Sequence, residues 1–303
     1  MDFEVIVLGS GAAVPSLTRN TSAQYVFCHN RHILIDCGEG TQLQLRKFKI
    51  KFQQIQTILI SHLHGDHIFG LPGLLSTMQL LGRTKGITVY GPKGIRKFIY
   101  ACLEEVGKGI YFSLNIVELE PNTSGVIFED KCIEIVHFPL KHGVPAHGYV
   151  IKEKPHKRRL LRDKFDETGV SVSYIQKLIQ GEDIVDMSGK KVRSDDVTIP
   201  GKKQKKYAYC CDTAYSTDII SFVENADVIY HDATFLSTEE DRAAETFHST
   251  AKQAASIAYK AKIGRLLLGH FSARYTSTKE HELEAKEIFE KVTAVEDGDK
   301  FII

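Results

Sequence analysis

The most informative part of this 303-residue chain is Ser61-His62-Leu63-His64-Gly65-Asp66-His67. It follows the apolar run Ile55–Ile60, which predicts a buried strand that ends at a glycine-bearing loop. The chain has 13 histidines, so this spacing with its acid arises by chance in about one such chain in a thousand. Imidazole nitrogens and carboxylate oxygens bind zinc and similar divalent metals. The stretch therefore predicts a metal site rather than a solvated polar loop.

Three further donors, His142, Asp212 and His270, each lie just beyond an apolar run. Taken singly, each is compatible with a capping aspartate or an ordinary buried histidine. Taken together, they place all the donors at strand ends, which can gather on one rim of a sheet. Because a carboxylate usually bridges two cations about 3.5–4 Å apart, the joint pattern predicts a two-metal centre.

Composition and charge are those of an ordinary soluble globular protein. Hydrophobic residues make up 43% and charged residues 25%, which excludes a collagen-like, coiled-coil or wholly disordered chain. No apolar run reaches 18 residues and the start lacks a secretory pattern, so we expect neither a membrane span nor a signal peptide. The six cysteines form no CxxC pair, which predicts reduced thiols in a cytosolic protein.

Short apolar runs alternate with helical patterns along the chain. Strands mixed with helices favour sheets that are faced by helices. Amphipathic patterns predict helices at Leu71–Leu81, Lys93–Val106 and Thr217–Ala226, with Pro92 at the start of the second. From about residue 152 to 206 the chain becomes polar and weakly periodic. We expect this stretch to be an insertion in a single domain that spans residues 1–303.

The insertion begins with a basic stretch that has a local net charge of +5 between residues 152 and 164. Its positive residues are Lys152, Lys154, Lys157, Arg158, Arg159, Arg162 and Lys164. A run of this kind is either a solvated face or a surface that binds phosphates. Arg19 and Asn20 lie beside the expected metal rim. They either bind phosphate or form ordinary hydrogen bonds within their loop.

Two other patterns suggest a nucleotide site and a cysteine ligand, and we expect neither. Gly9-Ser10-Gly11 follows a strand but lacks the third glycine of a dinucleotide-binding loop, so we predict no nucleotide cofactor. Cys211 precedes Asp212, and successive residues of a strand face opposite sides. We therefore expect Cys211 to point away from the metals.

The sequence resembles the metallo-β-lactamase fold, and within it the short form of the ribonuclease Z family. The resemblance covers nearly the whole chain. The motifs that carry it are Gly9-Ser10-Gly11, Pro15–Asn20, Asp36–Gly40, His62–His67, Lys141-His142-Gly143, Gly148-Tyr149, Asp212-Thr213, His231–Thr234, His248-Ser249-Thr250 and Gly269-His270-Phe271.

The resemblance implies an αββα sandwich of two mixed sheets with helices outside and metals at one edge. It places one zinc ion on His62, His64 and His142 and a second on Asp66, His67 and His270, with Asp212 bridging, while manganese and iron share these ligands. Asp66 would orient or deprotonate the attacking water. His248, supported by Asp232, would protonate the leaving oxygen.

The implied reaction is removal of the 3′ trailer from precursor tRNA in the cytoplasm, leaving a tRNA 3′-hydroxyl and a trailer 5′-phosphate. The basic insertion would be an arm that grips the tRNA, and a homodimer is expected. The predicted RNA-binding residues are Arg19, Lys154, Lys157, Arg158, Arg159 and Arg162. The chain departs from the family in two places: Asp232 replaces a common glutamate, and Gly169–Ser173 replaces a Gly/Pro-rich arm tip.

Two alternatives remain at this stage. One is a hydrolase of the same fold that acts on a small phosphodiester or another ester. The basic insertion favours a polyanionic substrate over a small molecule. The other is a metal-free RNA-binding or scaffolding protein, against which all seven ligand positions are filled.

Overall fold

A computed structural model describes residues 3–104 and 110–303. Within them the strands are, in chain order, β1 (Phe3–Gly9), β2 (Ala23–Cys28), β3 (Arg31–Ile35), β4 (Thr57–Leu59), β5 (Ile87–Pro92), β6 (Leu114–Leu119), β7 (Gly125–Glu129), β8 (Ile133–Leu140), β9 (Ala146–Glu153), β10 (Arg159–Leu160), β11 (Ile184–Val185), β12 (Lys191–Val192), β13 (Thr198–Ile199), β14 (Lys206–Cys210), β15 (Val228–Asp232), β16 (Leu266–Gly269), β17 (Val292–Ala294) and β18 (Lys300–Ile302).

The helices are α1 (Thr41–Lys47), α2 (Gly65–Ile68), α3 (Leu71–Leu80), α4 (Ile95–Glu104), α5 (Arg162–Thr168), α6 (Ile175–Ile179), α7 (Ser194–Val197), α8 (Ile220–Val223), α9 (Glu240–Glu245), α10 (Ala251–Lys260) and α11 (Lys279–Lys286). Across the described part of the chain, none of them is both long and apolar enough to span a bilayer.

Two seven-stranded mixed sheets form the larger unit. The first has the order β18-β1-β2-β3-β4-β5-β6 and the second the order β17-β16-β15-β14-β9-β8-β7. Neighbours are antiparallel from β18 to β3 and parallel from β3 to β6. In the second sheet, β14 to β17 are parallel, and β9 is antiparallel to β14. The predicted sandwich of two mixed sheets is confirmed.

Strand β1 shows why its sheet is covered on both faces. All seven of its residues are buried. Val5 and Val7 join the core cluster that includes second-sheet residues, whereas Ile6 and Leu8 join the cluster packed with α3 and α4. Because alternate residues of a strand point to opposite faces, the apolar run 5–8 suits a strand that lies between another sheet and a helix layer.

Several predicted elements differ from the structure. Pro92 is the last residue of β5, paired with Leu119, and α4 begins only at Ile95, so the expected helix-starting proline was wrong. Val106, the predicted end of that helix, lies outside the described residues. The predicted helix over Thr217–Ala226 is a 3₁₀ turn followed by α8, since Asn225 takes a left-handed φ of 58°.

The chain divides into two compact units. One consists of Met1–Lys152 and Lys205–Ile303, and the other is Glu153–Gln204. The smaller unit has short strand pairs, β10 with β13 and β11 with β12, and three helices, α5 to α7. Its own small core contains Phe165, Val170, Leu178, Ile184, Val192 and Val197.

Candidate metal centre

The predicted metal ligands all lie at or just after strand ends of the larger unit. His62 and His64 follow β4, and Asp66 and His67 lie in the short helix α2. The others, His142, Asp212 and His270, follow β8, β14 and β16. Asp212 and His270 have left-handed φ angles of 46° and 60°. Such a turn directly after a strand is strained for residues other than glycine, and strained positions often cluster at functional sites.

His62, His64 and His142 form what we call the open group, because His64 is exposed at the cleft. Nδ1 of His64 lies 3.0 Å from Nε2 of His62 and 3.3 Å from Nε2 of His142. Oδ2 of Asp212 lies 3.4 Å from Nε2 of His62 and 3.8 Å from Nε2 of His142.

Asp66, His67 and His270 form the buried group. Nε2 of His67 lies 3.3 Å from Nε2 of His270. Oδ1 of Asp212 is 3.1 Å from the first nitrogen and 3.0 Å from the second. Oδ2 of Asp66 is 3.4 Å and 3.5 Å from the same two nitrogens. The two oxygens of Asp212 thus face different groups.

These spacings fit metal ions. Donors bound tetrahedrally at zinc–nitrogen distances near 2.0–2.1 Å are about 3.3 Å apart. Donor atoms in contact within each group lie 3.0 to 3.5 Å from one another, close to that spacing. With one Asp212 oxygen facing each group, the donor set suits two cations bridged by that carboxylate.

A layer of outer partners fixes the histidine rings. Nδ1 of His67 lies 2.8 Å from Oδ2 of Asp36, and Nδ1 of His270 lies 3.0 Å from the hydroxyl of Thr234. Nδ1 of His142 lies 3.1 Å from the carbonyl oxygen of Phe247. Each partner occupies the ring nitrogen that points away from the cluster, which sets the ring orientation for a metal-binding histidine.

Asp36 was missed as a site residue by the sequence argument. It is fully buried and accepts hydrogen bonds from the amide and hydroxyl of Ser61 and from the Tyr209 hydroxyl. Burial alone lowers the pKa of His67, but Asp212, Asp36 and Asp66 outweigh it and hold that pKa well above its usual value. The available signal was an acid directly after β3 in the Asp36–Gly40 motif.

Asp66 is held by the loop after β1. The amide of Ala13 donates to Oδ2 of Asp66 at 2.8 Å. The same loop is tied down by Asp297, which accepts from Ser10 and Asn20 through both their amides and their side chains. Asp297 has no motif around it, so no pattern in the sequence pointed to it.

Asp232 and His248 form a second polar pair at this edge. Oδ2 of Asp232 lies 2.8 Å from Nδ1 of His248, so the aspartate reaches the histidine. Burial opposes the charged imidazole, but Asp232 outweighs it and raises the pKa of His248 to about 9. The other Asp232 oxygen accepts from the amide and hydroxyl of Thr234.

The expectation that Cys211 points away from the donors was wrong. Its Sγ lies 3.2 Å from Oδ1 of Asp212 and within 4.8 Å of the donor atoms of His67 and His270. Strand β14 ends at Cys210, and Asp212 is left-handed. The alternation of side chains along a strand therefore no longer applies at these two residues.

The predicted RNA-binding residues are divided between the two units, with Arg19 in the larger one. Arg19 donates to the carbonyl of Tyr275 at 2.8 Å, and its guanidinium lies over the Phe271 ring. The remaining five belong to the smaller unit. There Arg158 pairs with Asp195 and bonds to Thr198, Arg162 pairs with Asp166, and Lys157 and Arg159 are exposed. Lys154 also lies in that unit.

A cavity of about 290 Å³ opens beside the donors. Asp66, Asp212, His248 and His270 line it together. Arg242 and Arg274 lie on its wall. The two arginines pair with Glu245 and Glu239. The arrangement places a candidate base and a candidate acid around one space, which suits hydrolysis of a phosphate ester.

Comparison with known proteins agrees with this geometry. Residues 3–142 match the family described as Anti-Pycsar protein Apyc1, and residues 196–271 match the Beta-lactamase superfamily domain. Ribonuclease Z of Parabacteroides distasonis is 41% identical over 98% of this chain and 98% of its own length. Ribonuclease Z of Cytophaga hutchinsonii is 41% identical over 100% of this chain and 97% of its own length.

Solved structures agree with these sequence matches. The crystal structure of human tRNase Z, short form, matches with a TM-score of 0.72 at 29% identity, covering 99% of both chains. A diphosphatase of the PhnP family matches with a TM-score of 0.65 at 15% identity, which indicates the shared fold alone. The chain has the metallo-β-lactamase fold and belongs to the ribonuclease Z family.

Proposed function

We infer that this chain is a metal-dependent endoribonuclease that removes the 3′ trailer from precursor tRNA. Cleavage would leave a 3′-hydroxyl on the tRNA and a 5′-phosphate on the trailer. The observation that carries this inference is the convergence of seven His and Asp donors on one edge of a chain that matches ribonuclease Z over its whole length. The name of the human structure, tRNase Z, supplies the substrate class.

For the cofactor, we propose two zinc ions, one in the open group and one in the buried group, with Asp212 bridging. The nitrogen and carboxylate donors support zinc, and manganese and iron are alternatives for the same ligands. When bound, the ions lower the pKa of a coordinated water and stabilise charge on the attacking and leaving oxygens.

The side chains of the site divide the proton transfers between them. Asp66, held by the Ala13 amide, would orient or deprotonate the attacking water. Burial alone raises the pKa of Asp66, but His67 and His270 outweigh it and keep that pKa well below its usual value. His248 is protonated at neutral pH and would give its proton to the leaving 3′ oxygen.

The smaller unit is proposed to be the arm that binds the body of the tRNA. Residues 153–204 contain twelve Lys or Arg and nine Asp or Glu, a net charge of +3, whereas the whole chain has a net charge of +1. Lys157 and Arg159 are exposed and suited to phosphate contacts. Because Arg158 and Arg162 already pair with acids of the same unit, we expect smaller contributions from them.

The proposed assembly is a homodimer in the cytoplasm, in which the arm of one subunit serves the active site of the other. Exposed apolar side chains support an interface between copies: Leu43 on α1, with Leu80 and Leu81 at the end of α3. The two helices contact each other through Thr77 and Gln42. Sedimentation velocity tests the assembly, since a single 34-kDa species would contradict it.

The deciding experiment is cleavage of a 3′-extended precursor tRNA by the wild type and by Asp212→Ala. We expect one cut beside the discriminator base by the wild type, and a loss of rate of at least about 10³-fold in the variant because both donor groups lose their shared carboxylate. Metal content is measured in both proteins. A fully metallated wild type that leaves the precursor intact but hydrolyses a small phosphodiester would instead establish the small-ester alternative.

A further inference from the structure

Phe247, which immediately precedes His248, has an unusual conformation. Its φ is 57°, in the left-handed region that bulky residues rarely adopt. Its side chain is nevertheless 41% exposed, so burial of the ring does not explain the conformation. The end of helix α9 explains it instead: a residue in the left-handed region commonly closes a helix at this position.

The backbone around Phe247 is fixed by the last turn of α9 and by His142. Its carbonyl oxygen accepts from Nδ1 of His142, and its amide donates to the carbonyl of Ala244. The next amide, that of His248, donates to the carbonyl of Ala243 at 2.8 Å. Phe247 is thus held between a candidate metal ligand and the candidate acid.

The ring lies close to Gly143, the residue after His142. A Cβ placed on Gly143 would stand 3.5 Å from Cδ2 of Phe247, so the ring packs on the backbone next to His142. The His142 and His248 rings are themselves 5.4 Å apart between centroids. An exposed aromatic ring therefore precedes the candidate acid in the chain and lies close to the backbone that follows His142.

We propose that the Phe247 ring is a stacking platform for the nucleobase on the 5′ side of the scissile phosphate. The proposal rests on the proposed function and names one contact of its substrate. Aromatic rings bind unpaired bases by stacking, which tolerates any base. The 5′ side follows from chemistry, because the oxygen that His248 would protonate belongs to the nucleotide on that side.

The test uses two products that the enzyme cannot cut. One is a tRNA that ends at the discriminator position with 2-aminopurine as its last base. The other is a trailer oligonucleotide with 2-aminopurine as its first base. Stacking on an aromatic ring quenches 2-aminopurine fluorescence, so we expect quenching of the tRNA probe by the wild type and little change in the trailer probe.

Three variants separate the ring from the backbone. Phe247→Asn tolerates the left-handed conformation and keeps the carbonyl that His142 uses. It should abolish quenching and weaken binding of the tRNA probe by about 5-fold or more. Phe247→Tyr should retain both, and Tyr259→Asn, which removes an exposed aromatic on α10, should match the wild type. All proteins are compared at equal metal content.

Quenching that persists in Phe247→Asn, or that occurs on the trailer probe instead, would overturn the stacking role. Cleavage of precursor tRNA by the same preparations keeps this outcome distinct from failure of the proposed function. A wild type that cuts the precursor while Phe247→Asn binds the tRNA probe equally well refutes only the platform. A metallated wild type that neither binds nor cuts tRNA refutes the function on which it rests.

Discussion

The two donor groups of the metal centre differ in how they are attached to the fold. In the buried group, the outer nitrogens of His67 and His270 meet the side chains of Asp36 and Thr234, which are themselves buried. In the open group, His142 is held by the carbonyl of a loop residue, and His64 is exposed at the cleft. The two histidines of the buried group are thus enclosed, whereas the open group combines the buried His62 with the exposed His64.

This difference predicts that some donors contribute to the stability of the fold as well as to metal binding, and that others contribute to metal binding alone. A histidine that sits between buried acids contributes to folding as well as to metal binding, because its removal leaves a charge without compensation. A histidine at an open rim contributes to metal binding with little cost to the fold when it is lost. The following variants test how far this separation holds.

The largest effect on stability is expected for His67→Ala. His67 is fully buried, and Asp212, Asp36 and Asp66 hold its pKa well above the usual value despite the opposing effect of burial. Removing it leaves Asp36 without that partner, so the free energy of unfolding of the metal-free protein should fall by about 3–5 kcal/mol. Urea denaturation in the presence of a chelator measures the difference.

His64→Ala is the matched control in the open group. It also removes one candidate ligand, but the side chain is exposed, so the free energy of unfolding without metal should change by no more than about 0.5 kcal/mol. Equal losses of stability in the two variants would contradict the distinction between the groups.

A smaller effect is expected for Asp36→Asn, which keeps the shape but removes the charge behind His67. Outer-partner substitutions typically weaken metal binding about 10- to 100-fold. The loss should be larger in the buried group, since Asp36 contacts His67 directly at 2.8 Å but reaches His62 only through the Ser61 hydroxyl. Competition with a chromophoric chelator resolves the two binding steps, and weakening of both steps to the same extent would show that the sites are not independent.

Much of the centre was predictable because its donors are close in sequence or follow apolar runs. The spacing of the donors from His62 to His67 predicts a metal site. An acid or histidine directly after an apolar run can be placed at the end of a buried strand. The alternation of strands and helices predicted sheets that are faced by helices, and the resemblance to the ribonuclease Z family supplied the sandwich. Asp36 lay within a quoted motif, but its contact with His67 depends on the pairing of β3 with β4.

The rest depends on conformations that a linear pattern does not encode. Cys211 was misplaced because Asp212 turns left-handed directly after β14. Asp297 is 287 residues from Ser10 along the chain. The two come together because β18, which follows Asp297, pairs with β1. Strands β17 and β18 have three residues each, too few for a periodic signal.

Asp232→Asn should shift the pH dependence of cleavage. Asp232 raises the pKa of His248 to about 9, and without that charge the pKa should return towards 6.5. His248 must be protonated to act as the acid, so kcat/KM of the wild type should hold up to about pH 9, and that of the variant should fall at lower pH. At pH 8 the variant should be slower by about 10-fold. If the alkaline limb of the pH profile is the same in the variant and the wild type, that limb reports the titration of a group other than His248.

The smallest effect on cleavage is expected from the exposed side chains of the arm, which belong neither to the core nor to the donor groups. A double variant, Lys157→Ala with Arg159→Ala, should raise KM for precursor tRNA about 2- to 10-fold, since each exposed contact is worth little. The slope of log KM against log salt should fall by about 2, one for each lost phosphate contact. Lys49→Ala with Lys51→Ala removes the same charge from outside the arm and should leave that slope unchanged. If both double variants reduce the slope equally, tRNA senses the total charge of the protein, and the smaller unit has no binding role of its own.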